Sequence, residues 1–413
     1  MISSHTLTFY IFPHWTARTC FHSFQHMNPE ALSQAFKDNF LSRGELGASV
    51  AIWSQGHAPL SLGAGFQDAE RSQVWLADTP VLVWSATKGP AAACLLHALD
   101  AAGLSLQTPV VKVWPAFAAS GKSMVTFRML LQHEAGLCAL DAPPPVEDRV
   151  AVAAALASQA PAWEPGKAHG YHPRTFGFLL DELLRRLGAG ESLGAYWRRI
   201  FGEPLDLDFW IGLPPHLLCR VAPVFSPRAL LPKGDPFFSA FMTPGSLTSR
   251  SFASPKGLHS AASMNTPEAR TACYPGFGGI GTASALAKFY AMLACGGVWE
   301  GRRFLAPSLL EHMHSGGVQG PDRVLQMETS FSCGFMLDPV LPDGSKLRHT
   351  FGPSRFAFGH PGAGGSVAFA DPERGLGFAY VMNQMEPGVL PNRRAAALVN
   401  AFWELPGGVV AAG

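Results

Sequence analysis

Charged residues are scarce in this chain. Asp, Glu, Lys and Arg together make up 15% of its 413 residues, against the usual quarter, and the net charge is +1. No run of Lys or Arg forms a stripe, so no nucleic-acid partner is expected, because neutralising phosphates takes clustered cations. Cysteine pairs are missing too. Seven cysteines (Cys20, Cys94, Cys138, Cys219, Cys273, Cys295, Cys333) are scattered, odd in number and never arranged as C-x-x-C. Several lie in apolar runs, which fits buried free thiols in a reducing, cytoplasmic setting and gives no spacing for a zinc site. No stretch of about 18 consecutive apolar residues occurs, so no membrane span is expected. The first 26 residues lack a basic leader and a small-residue cleavage site, which argues against a secretory signal. They hold Arg18 and no acidic residue, so a mitochondrial presequence stays open, as does a tail before a start near Met27. Residues 1–27 are expected to be a poorly ordered tail.

What is present points to a large buried interior. Hydrophobic residues reach 47%, while 43 Gly and 34 Pro are spread along the chain, as many defined loops require. The length exceeds that of one ordinary core, so two packed units or one elaborated fold are expected. Asn28-Pro-Glu-Ala-Leu-Ser-Gln-Ala-Phe-Lys37 reads as a capped amphipathic helix. Ala48–Trp53 and Pro59–Leu62 flank Gln55-Gly56-His57 as a β-hairpin. A second hairpin joins Gly365–Ala370 to Gly377–Met382 through Asp371-Pro-Glu-Arg-Gly375. A helix over Ala285–Leu293 and a final one over Asn392–Trp403 complete the ends. Strands at both ends with helices between them predict an α+β fold. Its antiparallel sheet would be assembled from both chain ends and flanked by helices. The expected division is 28–110 plus 270–413 around that sheet, with 111–269 as a mostly helical domain.

The chemistry centres on Trp84-Ser85-Ala86-Thr87-Lys88-Gly89, which follows the apolar run Pro80-Val-Leu-Val83 and opens an Ala- and Leu-rich helix. Residues i and i+3 share a helix face, so Ser85 Oγ and Lys88 Nζ can meet. A serine hydroxyl needs a base to become nucleophilic, and a lysine serves only if its ammonium is destabilised by burial or another cation. Taken alone, S-x-x-K recurs by chance in many chains. If Ser85 caps the helix, Pro90 would delete a hydrogen bond to Ala86 and crowd its carbonyl, so a distorted first turn is expected.

Further blocks follow in order: Val125–Leu137, Trp163-Glu-Pro-Gly-Lys-Ala-His-Gly-Tyr171, Gly278-Gly-Ile-Gly281-Thr, and Phe358-Gly-His360-Pro-Gly362-Ala-Gly-Gly365. Together with Ser85-Ala-Thr-Lys88 they resemble the serine β-lactamase-like superfamily, specifically class C-type esterases such as the family VIII carboxylesterases. The resemblance runs over residues 28 to 403. It implies the β-lactamase/transpeptidase-like fold, with Ser85 as the acylated nucleophile and Lys88 as its partner. Tyr171 would share the general base and acid work, its phenolate favoured by a hydrogen bond to the Lys88 ammonium. The oxyanion hole would be the backbone N–H groups of Ser85 and Ala363, each amide contributing about 3 kcal/mol. His360, Gly362, Gly279 and Ile280 would line the substrate site. No metal and no cofactor is implied.

Two departures from the pattern bear on substrate. His360 stands where the family has a lysine, and Pro173 where Tyr-x-Asn has its asparagine. Both argue for ester over cephalosporin hydrolysis, so the expected partner is a small-molecule ester with a small or medium acyl group. The rivals are acyl transfer or weak β-lactamase activity at the same site, and a catalytically silent binding or assembly protein. Other motifs have blander readings. Gly190-Glu-Ser192-Leu-Gly194 mimics a lipase elbow but follows a helical stretch, so Ser192 is read as a helix N-cap. Gly276-Phe-Gly278-Gly-Ile-Gly281 is read as a tight turn rather than a dinucleotide site, and His133 as a structural hydrogen-bonder.

Overall fold

The structure, a computed structural model, describes residues 10–11 and 28–404, apart from 189, 230 and 233. Its strands are β1 (Tyr10–Ile11), β2 (Gly47–Ser54), β3 (Leu60–Gly65), β4 (Val81–Leu82), β5 (Phe209–Ile211), β6 (Gly279–Gly281) and β7 (Val298–Trp299). They continue with β8 (Arg302–Arg303), β9 (Val318–Pro321), β10 (Glu328–Phe331), β11 (Met336–Leu337), β12 (Phe358–Pro361), β13 (Val367–Asp371) and β14 (Leu376–Met382). Five helices matter most here: α1 (Pro29–Ser42), α2 (Lys88–Ala101), α3 (Thr175–Leu187), α4 (Ala283–Ala294) and α5 (Arg393–Phe402). No helix among the described residues is long and apolar enough to cross a membrane.

Nine strands form one sheet in the order β1-β3-β2-β14-β13-β12-β11-β10-β9. The two hairpins read from the sequence, β2–β3 and β13–β14, are both present. They meet where β14 pairs antiparallel with β2, from Leu376 opposite Ser54 to Met382 opposite Ala48. The two ends of the chain therefore share one α+β scaffold, as the strand placement predicts. Of the expected N-terminal tail, Tyr10 pairs with Gly63 and Ile11 with Leu62; the rest lies outside the described residues.

The period of two decides what covers each face. Along β14, Leu376, Phe378, Tyr380 and Met382 join the apolar cluster that includes Leu32 and Phe36 of α1 and Leu398 and Phe402 of α5. Ala379 and Val381 point the other way, into the cluster built on α2 and α4. The sheet is thus covered on both sides. On the α4 side, Gly377 is required: a Cβ there would stand 2.0 Å from Ala287 O.

The helical middle of the chain contributes one strand to a second sheet. In it, β6 lies between β4 and β5, so segments near residues 81, 210 and 280 are hydrogen-bonded together. This small sheet, unforeseen in the sequence, sits directly before Ser85.

Candidate active site

The apolar run before Ser85 ends in β4, and Val83 N donates to Gly279 O at 2.9 Å. Trp84 then takes a φ of +50°, a conformation bulky side chains rarely adopt. Trp84–Thr87 form a 3-10 turn, and α2 starts at Lys88, not at Ser85 as a continuous helix would have it. Pro90 is therefore the third residue of α2, where a backbone N–H has no intrahelical partner to lose, and the expected distortion becomes this 3-10 entry. The Thr87 hydroxyl donates to Trp84 O and accepts from Gly279 N at 2.8 Å, locking the turn to β6.

Lys88 is completely buried. Its Nζ lies 3.1 Å from Ser85 Oγ and donates to two backbone carbonyls, Pro173 O and Gly276 O, at 2.7 Å each. Burial first, and the Arg174 guanidinium second, hold its pKa well below the ordinary lysine value. Carbonyl oxygens can only accept, so they claim two hydrogens of the amine. A neutral amine has two, and its lone pair is then left for Ser85.

Tyr171 is 3% exposed, and its ring lies 4.8 Å below Lys88 Nζ. Its hydroxyl is close enough to Ser85 to be influenced by it, yet makes no hydrogen bond within normal limits. The expected bond from Lys88 to the phenol oxygen is not formed, because the lysine is held by the two carbonyls. Burial dominates and pushes the Tyr171 pKa far up, so the resting side chain is a protonated phenol rather than a phenolate.

His360 lies on β12 with 1% exposure, its ring 5.8 Å from that of Tyr171. Burial and the Lys88 charge lower its pKa to about 3. On the turn leaving β12, Gly362 touches the segment between β4 and the Ser85 turn: a Cβ there would stand 2.1 Å from Val83 O. Ala363 follows, half-buried, on that same turn. Gly279 and Ile280 are placed differently from the sequence expectation. Both lie in β6, where Ile280 pairs with Leu82 and Trp210 and Gly279 pairs with Ile211, and Ile280 is only 1% exposed. They back the Ser85 turn and are buried in the small sheet.

The beta-lactamase family model matches residues 30–401. The chain belongs to the beta-lactamase family. It is 30% identical over 370 residues, 85% of this chain and 80% of its relative, to the Esterase/beta-lactamase LipL of Mycobacterium tuberculosis. Among solved structures it is similar to a penicillin-binding protein homologue from Caulobacter crescentus. That match has 35% identity, a TM-score of 0.79, and covers 94% of this chain and 99% of the other. A family VIII carboxylesterase matches at 31% identity and a TM-score of 0.80, over 94% and 98% of the two chains. The protein is accordingly a serine hydrolase of the beta-lactamase family.

Within this family member, several supporting groups escaped the sequence reading. The two carbonyls on Lys88 belong to Pro173 and Gly276, and backbone atoms carry no signature in a sequence. Asp322 is buried, and its carboxylate accepts from Tyr171 N at 3.0 and 3.1 Å, from Val324 N and Leu325 N at 2.8 Å each, and from the Thr329 hydroxyl at 3.1 Å. Gly-Pro-Asp322 could have been read as a turn, but its partner 151 residues earlier could not. His133 accepts from His172 N at 3.2 Å and packs on Phe176 and Phe331, in keeping with its structural reading. Ser192 accepts from Ala195 N as a helix N-cap, so it is no lipase nucleophile.

Proposed function

We propose that this enzyme hydrolyses carboxylic esters of small or medium acyl groups through an acyl-enzyme on Ser85, with Lys88 as the base. The observation that carries the reading is the Lys88 amine, fixed by two carbonyls at 2.7 Å and facing Ser85 Oγ at 3.1 Å. As Ser85 Oγ bonds to the ester carbonyl carbon, its proton passes to the Lys88 lone pair. The oxygen that gains charge is met by the Ser85 and Ala363 amides, an assignment supported by the contact of Gly362 with Val83. Collapse breaks the bond to the alcohol, whose oxygen takes the Tyr171 hydroxyl proton. The Lys88 ammonium then restores that proton. Tyr171 therefore enters the step with its proton in place, as burial keeps it. Water next attacks the acyl carbon as one of its protons passes to the neutral Lys88 amine, and the bond to Ser85 Oγ then breaks as that proton moves from Lys88 to Ser85.

His360 offers no fixed cation to a substrate carboxylate, which favours neutral esters over anionic lactam drugs. Gly279 and Ile280 act here as support for the nucleophile turn. The test is labelling with a fluorophosphonate followed by peptide mapping. The adduct is expected on Ser85, with Ser85→Ala unlabelled and inactive on short p-nitrophenyl esters. A label at Ser192, or full activity of Ser85→Ala, would sink the proposal.

A further inference from the structure

A cavity of about 660 Å³ lies apart from Ser85, Lys88, Tyr171 and His360, none of which lines it. Its walls come from the start of the short helix Pro236–Met242, from residues 326–327 and 348–350, from the stretch 386–392 and from α5. Asn392 Nδ2 donates to Gly364 O at 2.8 Å and Gly364 N to Gly388 O at 3.3 Å, so the cavity stands beside the turn leaving β12. Most of the lining is apolar, with Phe237, Phe238, Met327, Val389 and Leu390 contributing to it.

The charged groups of the lining do not balance. Asp235 caps the short helix, accepting from Phe238 N at 2.9 Å. Glu386 is paired with Arg393 at 3.1 Å and with Arg394 at 3.3 Å. Arg348 has no such partner. It is 8% exposed, Nη2 donates to Glu328 O at 2.6 Å, and Nε and Nη1 meet no described residue. Asp338, whose charge acts on it, is already paired with Lys346 at 2.9 Å. A cation this far from water is normally matched by an anion, because burying it alone is costly.

We propose that this cavity binds a monocarboxylate with an apolar chain, its carboxylate on Arg348 and its chain against Phe237, Phe238, Val389 and Leu390. A guanidinium offers a planar fork of donors that fits the two oxygens of a carboxylate. A mainly apolar cavity of several hundred Å³ with a few fixed polar groups is the usual form of a small-molecule site. Asp235 and Glu386 share the wall, which disfavours a ligand with more than one negative charge, such as a phosphate monoester. Occupancy of the cavity does not depend on the Ser85 chemistry.

The test is equilibrium dialysis of the full chain with decanoate and, separately, with decanol, which has the same chain length and no charge. The ratio of the two affinities is taken within one preparation, so it does not depend on how much of a variant is folded. Wild type is expected to prefer decanoate by about tenfold or more, as a hydrogen bond between charged groups implies. Arg348→Met and Arg348→Gln should each cut that preference about tenfold to a hundredfold. Ser85→Ala should bind both ligands as wild type does, whether or not Ser85 is the nucleophile. Equal affinity for decanoate and decanol in the wild type would overturn the assignment. So would an unchanged ratio in both Arg348 variants, or loss of decanoate binding in Ser85→Ala, since either places the acid outside this cavity.

Discussion

At the residue scale, the decisive fact is how Lys88 is deprived of water. Two carbonyls and one hydroxyl replace its solvation, and none of them bears a compensating negative charge. Its folded pKa is depressed, so between that value and the ordinary lysine value near 10.4 the unfolded chain binds more protons than the native one. Burial of Lys88 therefore costs stability at neutral pH, and the cost fades as pH rises through the unfolded value. In the proposed mechanism, catalysis gains from the same shift. The rate kcat/KM on a neutral ester is expected to rise with pH through the folded Lys88 pKa and to be level well below pH 10. Lys88→Met should remove this limb and lower kcat about 10²–10⁴-fold, as read from pH–rate profiles. Tyr171 shows the opposite balance. Its buried hydroxyl is unpartnered, so Tyr171→Phe should raise unfolding free energy by about 1 kcal/mol in denaturant titration while lowering kcat at least tenfold.

At the element scale, three segments distant in sequence converge on one turn. The turn that carries Ser85 is held from behind by β6 and pressed from the front by the turn leaving β12. The second contact has no slack, because the Gly362 Cα faces a backbone carbonyl rather than a side chain that could rotate away. Gly362→Ala is expected to push the Ala363 amide out of line with Ser85. It should cut kcat by about 10²-fold, the loss typical of one oxyanion donor, with KM and far-UV circular dichroism little changed. A variant with wild-type kcat would remove Ala363 from the oxyanion site.

At the scale of the whole molecule, both faces of the sheet are covered, and the outer layer of α1 and α5 is fastened by a buried charge pair. Arg394 on α5 donates to Glu45 at 3.0 Å, and the Tyr380 hydroxyl of β14 donates to the same carboxylate. Burial still raises the Glu45 pKa to about 7 despite the arginine. Arg394→Met leaves that carboxyl unpaired, which should cost about 3–5 kcal/mol by denaturant unfolding at pH 9. At pH 5 the carboxyl binds a proton and the loss should be smaller. An equal loss at both pH values would show that packing, not charge, fastens α5.

The sequence by itself determined the local units and the meeting of Ser85 with Lys88. Hairpins at 48–62 and 365–382, the capped helix from Asn28 and the one-turn spacing of Ser85 and Lys88 depend on neighbours within a few residues. Such short-range rules of turn, cap and period are written in the residue order. Only the tertiary structure decided what surrounds the pair. Pro173 O, Gly276 O, Asp322 and the Val83–Gly362 contact reach the site across 80 to 280 residues of chain, and two of them are backbone atoms common to every residue type. It also placed Gly279 and Ile280 inside a small sheet, and buried Tyr171 so that its pKa is raised. Those outcomes turn on burial and on which acceptor claims each hydrogen, quantities that exist only once the distant segments have met.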